Sequence, residues 1–179
     1  MKLFPSVVAV MALAVAGCAG YRWTSDVPDG LRTVAVPTFR NETDVTELGS
    51  VMTTQLLREF QREGTFSLRS VGDAALEVQG IVASVSSGLV GYDRRSGMRS
   101  RGYRLEAEVK ISVIDKRNGR VLVDNRTYRP VTTFASGSDV LTSVRDASGR
   151  LAEDLARQVV DDIVGMKWAG GKSVGEDAK

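Results

Sequence analysis

The sequence predicts an α/β (α+β-like) domain in which two helices pack on one face of a mixed, roughly four-stranded sheet. Apolar and charged residues alternate over residues 103–114, and apolar residues recur with helical spacing over residues 45–63 and again from about residue 140. Period-two alternation predicts a strand with one buried face, whereas steps of three and four predict amphipathic helices. The chain order of strand, helix, strands and helix then predicts a sheet that both helices cover on one side.

Composition excludes several classes of function. The 179 residues are 42% hydrophobic and 26% charged, which is typical of a globular domain. The sequence has no His and one Cys, so it excludes His-based catalytic triads, His-containing metal sites and intrachain disulfides. A net charge of +2 argues against a general nucleic-acid-binding surface. We therefore expect a binding protein with no catalytic residues, no metal site and no cofactor.

The first residues predict the compartment. Lys2 precedes a nine-residue apolar run at residues 7–15, which is the plan of a secretory signal peptide over residues 1–17. The sequence Val15-Ala16-Gly17-Cys18 resembles the bacterial lipobox, and this resemblance implies that Cys18 is acylated and becomes the mature N-terminus. An ordinary secretory signal with an incidental cysteine is the alternative. Ala19, where an Asp would favour the inner membrane in the enterobacterial sorting rule, favours the cell outer membrane.

The rest of the chain divides into three parts. We expect residues 18–30 to form a lipidated tether, residues 31–168 to form a single domain, and residues 169–179 to be a disordered tail because they show no apolar period. In the tether, Tyr21 and Trp23 fit either the lipid headgroup interface or the edge of the domain itself.

The first half of the domain begins with a strand over residues 31–39. Pro37 cannot donate a ladder hydrogen bond, which favours a sheet edge or the end of a strand. Asp44 followed by Glu47 predicts the start of a helix over residues 45–63, which Gly64 ends. The core stripe of this helix is predicted to be Leu48, Met52, Leu56 and Phe60. A short strand is expected within residues 66–71.

The second half is predicted to be mostly sheet. The apolar parity of residues 75–90 changes at Gly80, where we expect a β-bulge. Over residues 103–114 the inward residues are predicted to be Leu105, Ala107, Val109, Ile111 and Val113. Asn118-Gly119 predicts a hairpin turn, after which the partner strand continues through Tyr128 towards Phe134.

A second helix of about 25 residues follows, capped by Ser138 or Asp139. Gly149 is a weak point inside it. The predicted core stripe of this helix is Val140, Val144, Ala147, Leu151, Leu155, Val159 and Ile163.

Arginines cluster between the two longest strands. Arg94, Arg95, Arg99 and Arg101 lie at the tip of a predicted hairpin, and Arg104 follows them. Guanidinium groups pair bidentately with phosphate and carboxylate, so a phosphorylated lipid or an acidic surface is one possible partner. A solvated loop whose charge prevents edge pairing is the alternative.

Taken together, the order of motifs resembles the lipopolysaccharide-assembly lipoprotein family (LptE). The resemblance runs from Cys18, through residues 34–43 and the segment 73–81, to the final helix ending at Trp168. It implies a non-catalytic outer-membrane lipoprotein, facing the periplasm and the barrel lumen. Such a protein plugs and helps to assemble the lipopolysaccharide-translocating barrel (LptD) and binds lipopolysaccharide through basic residues. Arg94, Arg95, Arg99 and Arg101 are candidates for that binding from their charge and position alone.

Two other functions are compatible with parts of the pattern. An outer-membrane lipoprotein that activates a peptidoglycan synthase looks similar around residues 34–43, but such activators carry a long tether. Here about a dozen residues separate Cys18 from the first strand. A lipid carrier would need a closed apolar cavity, whereas the strand alternation predicts one apolar face that the helices already occupy.

Overall fold

Strands and helices alternate along the chain in the order that the sequence predicts. The computed structural model describes residues 27–92, 101–136 and 140–168. A 3-10 turn at Asp29–Leu31 precedes the first strand. The following elements are β1 Thr33–Ala35, β2 Arg40–Asn41, α1 Leu48–Glu63, β3 Ser67–Leu68, β4 Leu76–Tyr92, β5 Arg101–Asp115, β6 Arg120–Tyr128, β7 Val131–Ser136 and α2 Val140–Val164.

All the described strands belong to one mixed sheet, centred on the long antiparallel pair β4–β5. On one side, β1 and β2 both run parallel to β4, and β3 runs parallel to β1. On the other side, β6 and β7 both pair antiparallel with β5. One continuous hydrophobic core lies between this sheet and the two helices. The predicted α/β class is confirmed.

Two prolines explain why the sheet has more strands than the predicted four. Pro37 falls in the gap between β1 and β2, and Pro130 falls in the gap between β6 and β7. Proline has no N–H to donate, so each proline divides one sheet position into two consecutive strands. Together with β3 at the edge, the described residues therefore form seven strands that occupy five positions across the sheet. The predicted continuation through Tyr128 towards Phe134 is confirmed as β6 followed by β7.

The predicted bulge at Gly80 is wrong in position. Register with β5 is continuous through Gly80 and first shifts between Val82 and Ser84, so Ala83 is the extra residue there; a second shift lies between Leu89 and Gly91. Gly80 instead makes room for an aromatic ring, because a Cβ at this position would overlap the side chain of Phe39. The glycine that breaks the apolar alternation is therefore required by a ring from the segment between β1 and β2, which the local pattern does not show.

The first helix begins three residues later than predicted. α1 starts at Leu48, and Glu47 precedes it without a side-chain cap. The Asn41 side chain accounts for the delay, because its amide donates to the carbonyl of Val45 at 2.8 Å and its oxygen accepts from the N–H of Thr43 at 3.1 Å. The expected end is confirmed: Gly64 has φ +83° and its N–H bonds the carbonyl of Phe60. The core stripe Leu48, Met52, Leu56 and Phe60 is fully buried.

The second helix spans 25 residues, as predicted. Ser138 and Asp139, its expected caps, lie outside the described residues, as does the side chain of Val140. Of the predicted core stripe, Val144 is partly buried. The fully or nearly fully buried members are Ala147, Leu151, Leu155, Val159 and Ile163. Beyond the helix, Trp168 closes the core against Phe66 at a ring-centroid distance of 6.3 Å.

A polar tie fixes the C-terminal half of α2 to the sheet. The Tyr128 hydroxyl donates to the Asp162 carboxylate at 2.8 Å, and the Arg126 guanidinium lies 3.2 Å from the same oxygen. Burial raises the pKa of Tyr128 well above its usual value, and the hydrogen bond to Asp162 raises it further. The hydroxyl therefore stays protonated as a donor, and the group is structural rather than acid–base machinery.

Candidate functional site

The face of the sheet that points away from the helices, here called the outer face, is a polar surface. Along β5, the side chains of Arg104, Glu106, Glu108 and Lys110 point to this face, while the residues between them are buried in the core. This alternation is the pattern that the sequence predicts. It leaves a broad charged surface that neither α1 nor α2 covers.

Opposite charges on the outer face are arranged in pairs. Arg129 donates to the Glu108 carboxylate from Nη2 at 2.9 Å and from Nε at 3.2 Å. Arg104 lies 3.7 Å from Glu106, and Lys116 lies 3.2 Å from Glu77. The more exposed pairs, Arg129 with Glu108 and Arg104 with Glu106, contribute little to stability because water competes for both partners. The surface can therefore exchange these contacts for a polar partner at low cost.

Strand β4 contributes small and uncharged side chains to the same face. Ser84, Ser86 and Gly88 lie directly across from Glu108, Glu106 and Arg104. In this region, small side chains on β4 face long charged side chains on β5, so no large apolar side chain protrudes from the surface. Apolar residues on the outer face include Ile81, Ile114, Val121 and Val131.

Most of the predicted site residues lie outside the described residues. This holds for Cys18 and for Arg94, Arg95 and Arg99. Arg101 is the first residue of β5, where it pairs with Tyr92 and Ser136. The structure thus places the backbone of Arg101 at the far end of the β4–β5 hairpin.

The described chain begins at the opposite end of the sheet. Val27 is buried in the core, and Gly30 packs against the guanidinium of Arg117 in the turn between β5 and β6. Asp115 fixes this turn: it accepts hydrogen bonds from Arg117 Nε at 3.0 Å and Nη2 at 2.8 Å, which lower the pKa of the Asp115 carboxyl. The 17 residues of β4 separate the two ends. At about 3.3 Å per residue they span about 55 Å.

A groove that the sequence analysis missed runs between the start of α1 and the N-terminal half of α2. It holds about 470 Å³ and is lined by Val45, Val51 and Val144 among others. The Glu47 carboxylate and the Arg145 guanidinium meet across it at 3.4 Å. A second groove of about 390 Å³ shares Val45 and Val144 and continues along β4. No local sequence pattern indicates this groove, because its lining comes from the loop before α1 and from two different helices.

These grooves are open rather than closed. A carrier for a whole lipid would need an enclosed apolar cavity, and the lining here includes Glu47, Arg145 and Ser148. Over residues 27–92, 101–136 and 140–168, no cluster of three or more acidic, Cys or His side chains is placed to hold a metal ion. Neither of the two described helices is long and apolar enough to cross a membrane.

Comparison with known proteins gives the family. A family model for lipopolysaccharide assembly, LptE, matches residues 31–163. The chain belongs to the LptE family. The match covers every described strand, all of α1 and all of α2 except its last residue. The family assignment therefore applies to the whole domain.

Solved structures share the fold of this LptE-family chain at low sequence identity. A candidate lipoprotein from Caulobacter crescentus is 17% identical, with a TM-score of 0.50 over 75% of this chain and 90% of that one. A hypothetical protein from Chlamydia trachomatis is 16% identical, with a TM-score of 0.50 over 74% and 95%. A protein from Xanthomonas campestris is 11% identical, with a TM-score of 0.52 over 77% and 88%. No curated protein sequence matches the chain.

Proposed function

We propose that this LptE-family chain is a non-catalytic outer-membrane lipoprotein, anchored through acyl chains on Cys18. In this role it plugs and helps to assemble an LptD-like barrel and binds lipopolysaccharide during delivery to the cell surface. The observation that carries the proposal is the outer face of the sheet. The lumen of a large outer-membrane barrel is polar, so a protein that fills it needs a polar surface of its own. The outer face, with Arg104, Glu106, Glu108 and Lys110, has that character.

The separation of the two ends supports the same role. A tether from Cys18 would join the domain next to Val27, whereas Tyr92, the last described residue before the candidate arginines, lies about 55 Å away along β4. The hydrocarbon core of a bilayer is about 30 Å thick. A protein anchored in the inner leaflet is thus long enough to bring its far end to the outer leaflet through a barrel lumen.

The deciding experiment is affinity purification of the full-length lipoprotein from detergent-solubilised outer membrane. We expect a large barrel protein to co-elute and to be identified by mass spectrometry, and depletion of the lipoprotein to reduce surface lipopolysaccharide. As a matched pair, Lys110→Glu reverses one charge on the outer face and Arg58→Glu reverses one on the exposed side of α1. Only Lys110→Glu should lower the yield of the barrel.

Recovery of the wild-type lipoprotein alone, with normal surface lipopolysaccharide, would contradict the proposal. Co-elution of a peptidoglycan synthase instead of a barrel would assign the chain to the class of synthase activators. In that case the outer face would be a docking surface for the synthase.

A further inference from the structure

The sheet has strand edges that differ in how well they are protected against pairing with another chain. An edge strand presents unpaired N–H and C=O groups to any extended peptide, and proteins protect such edges by shortness, bulges, proline or charge. On one side of the sheet, β3 and β2 have two residues each, and beyond Val82 the edge among the described residues is β4 itself. Bulges interrupt this part of β4, because its register with β5 shifts between Val82 and Ser84 and again between Leu89 and Gly91. On the other side, the edge is formed by β6 and β7.

β6 is a poor partner for an added strand. Its register with β5 shifts twice within nine residues. Asn125 adopts a left-handed φ of 45°, and Pro130 follows the strand. Bulges twist and interrupt an edge, so a regular ladder cannot extend along β6.

β7 has none of these protections. Its sequence, Val-Thr-Thr-Phe-Ala-Ser, contains no charge and no proline. Its register with β5 is unbroken from Glu106↔Val131 to Arg101↔Ser136. No strand of the described residues pairs with its other edge. Thr133 and Ala135 are exposed and small, so they leave access to the backbone.

The hydrogen-bond pattern identifies which groups are free. The N–H of Ala107 donates to the carbonyl of Pro130 at 3.2 Å, which makes these two residues a hydrogen-bonded pair. Hydrogen-bonded and non-hydrogen-bonded pairs alternate along an antiparallel ladder. Thr132 and Phe134 therefore point their peptide groups at β5. The peptide groups of Val131, Thr133 and Ala135 point away from β5, outward from the edge of the sheet.

We infer that β7 accepts an extended strand of the barrel partner by β-strand addition while that barrel is being assembled. This inference rests on the proposed function and names the contact by which the chain would assist assembly. One face of the added strand would continue the apolar layer that begins at buried Phe134, and the other would continue the polar outer face beyond Thr133.

The strands of outer-membrane barrels have this chemistry, because they alternate apolar and polar residues with period two. Before closure, such a barrel has unpaired edges, and after closure it has none. Pairing with β7 is therefore possible only for the unclosed barrel. β7 would hold a terminal strand of the barrel in an extended conformation and bond its backbone groups. The strand that neighbours it in the closed barrel would later replace β7.

The test compares two substitutions at one residue of the full-length lipoprotein. Thr133→Pro removes an outward N–H without removing any donor to β5, whereas Thr133→Val keeps the N–H and the branched side chain. In pulse-labelled cells, the lipoprotein is purified at early chase times and the co-purified, newly made barrel is quantified. We expect Thr133→Pro to reduce that barrel at least fivefold and Thr133→Val to leave it within twofold of wild type.

The stability of each purified variant is measured by thermal unfolding. Should Thr133→Pro unfold, Ala135→Pro removes the next outward N–H and gives the same test. Equal barrel yields with proline and valine at Thr133, in folded protein, would overturn the inference and leave the proposed function intact. A wild-type lipoprotein that co-purifies with no barrel at any chase time would instead overturn the proposed function.

Discussion

Gly80 shows, at the scale of single residues, how one absent side chain allows an aromatic ring to pack. A Cβ at Gly80 would overlap the ring of Phe39, which is 3% exposed and part of the core. We therefore expect Gly80→Ala to destabilise the domain by about 1–3 kcal/mol, the usual cost of overpacking a core. Equilibrium unfolding in urea measures this difference.

Gly88 is the matched control for this prediction, because it lies in the same strand and a Cβ there would meet nothing within 4 Å. Gly88→Ala should leave the free energy of unfolding unchanged or slightly increased. An equal loss of stability in both variants would show that flexibility of β4, and not the Phe39 ring, accounts for the glycine.

The helices offer a test at the scale of elements, since two of their glycines have opposite roles. Gly149 lies inside α2 with open space around its Cβ position, so Gly149→Ala should stabilise the domain by about 0.5–1 kcal/mol. Gly64 ends α1 with φ +83°, so Gly64→Ala should destabilise it by about 1–2 kcal/mol. Thermal unfolding should show opposite shifts of Tm, and shifts of the same sign would contradict this assignment.

The sequence predicts elements well where their own periodicity carries the information. Residues 103–114 alternate without a break, and each predicted inward residue is buried in β5. Prediction fails where the cause lies elsewhere in the chain. Gly80 makes room for the ring of Phe39 and is not the bulge, which falls at Ala83. α1 starts late because the Asn41 side chain bonds the preceding loop.

The candidate site could also be predicted only in part. The charged outer face could be predicted because alternation alone assigns its residues to one side of a strand. The pairing of Glu108 with Arg129, and of Glu47 with Arg145, could not. These partners come from different elements, and their meeting depends on sheet register and on how the helices pack. The free edge of β7 likewise requires the ladder register, which no local pattern contains.

For the molecule as a whole, the important feature is that the two ends of the sheet differ. Under the proposed role, three functions would be distributed along one axis: the tether would join at the Val27 end, the outer face covers the middle, and the candidate arginines follow Tyr92 in the sequence, at the other end of β4. If the arginines of that hairpin bind lipopolysaccharide, they do so far from the anchor. Removing them should affect ligand binding and leave both anchoring and folding unchanged.

The double substitution Arg94→Ala with Arg95→Ala tests this division. Losing two guanidinium–phosphate contacts should weaken binding of purified lipopolysaccharide by about tenfold, equivalent to about 1.4 kcal/mol, without changing Tm. Arg58→Ala with Arg69→Ala removes the same charge from two exposed positions outside the hairpin and should bind as wild type. If both double variants lost binding equally in a pull-down, net charge would be responsible. If neither double variant lost binding, the arginines would belong to a solvated loop, and their charge would serve only to prevent this edge from pairing with another strand.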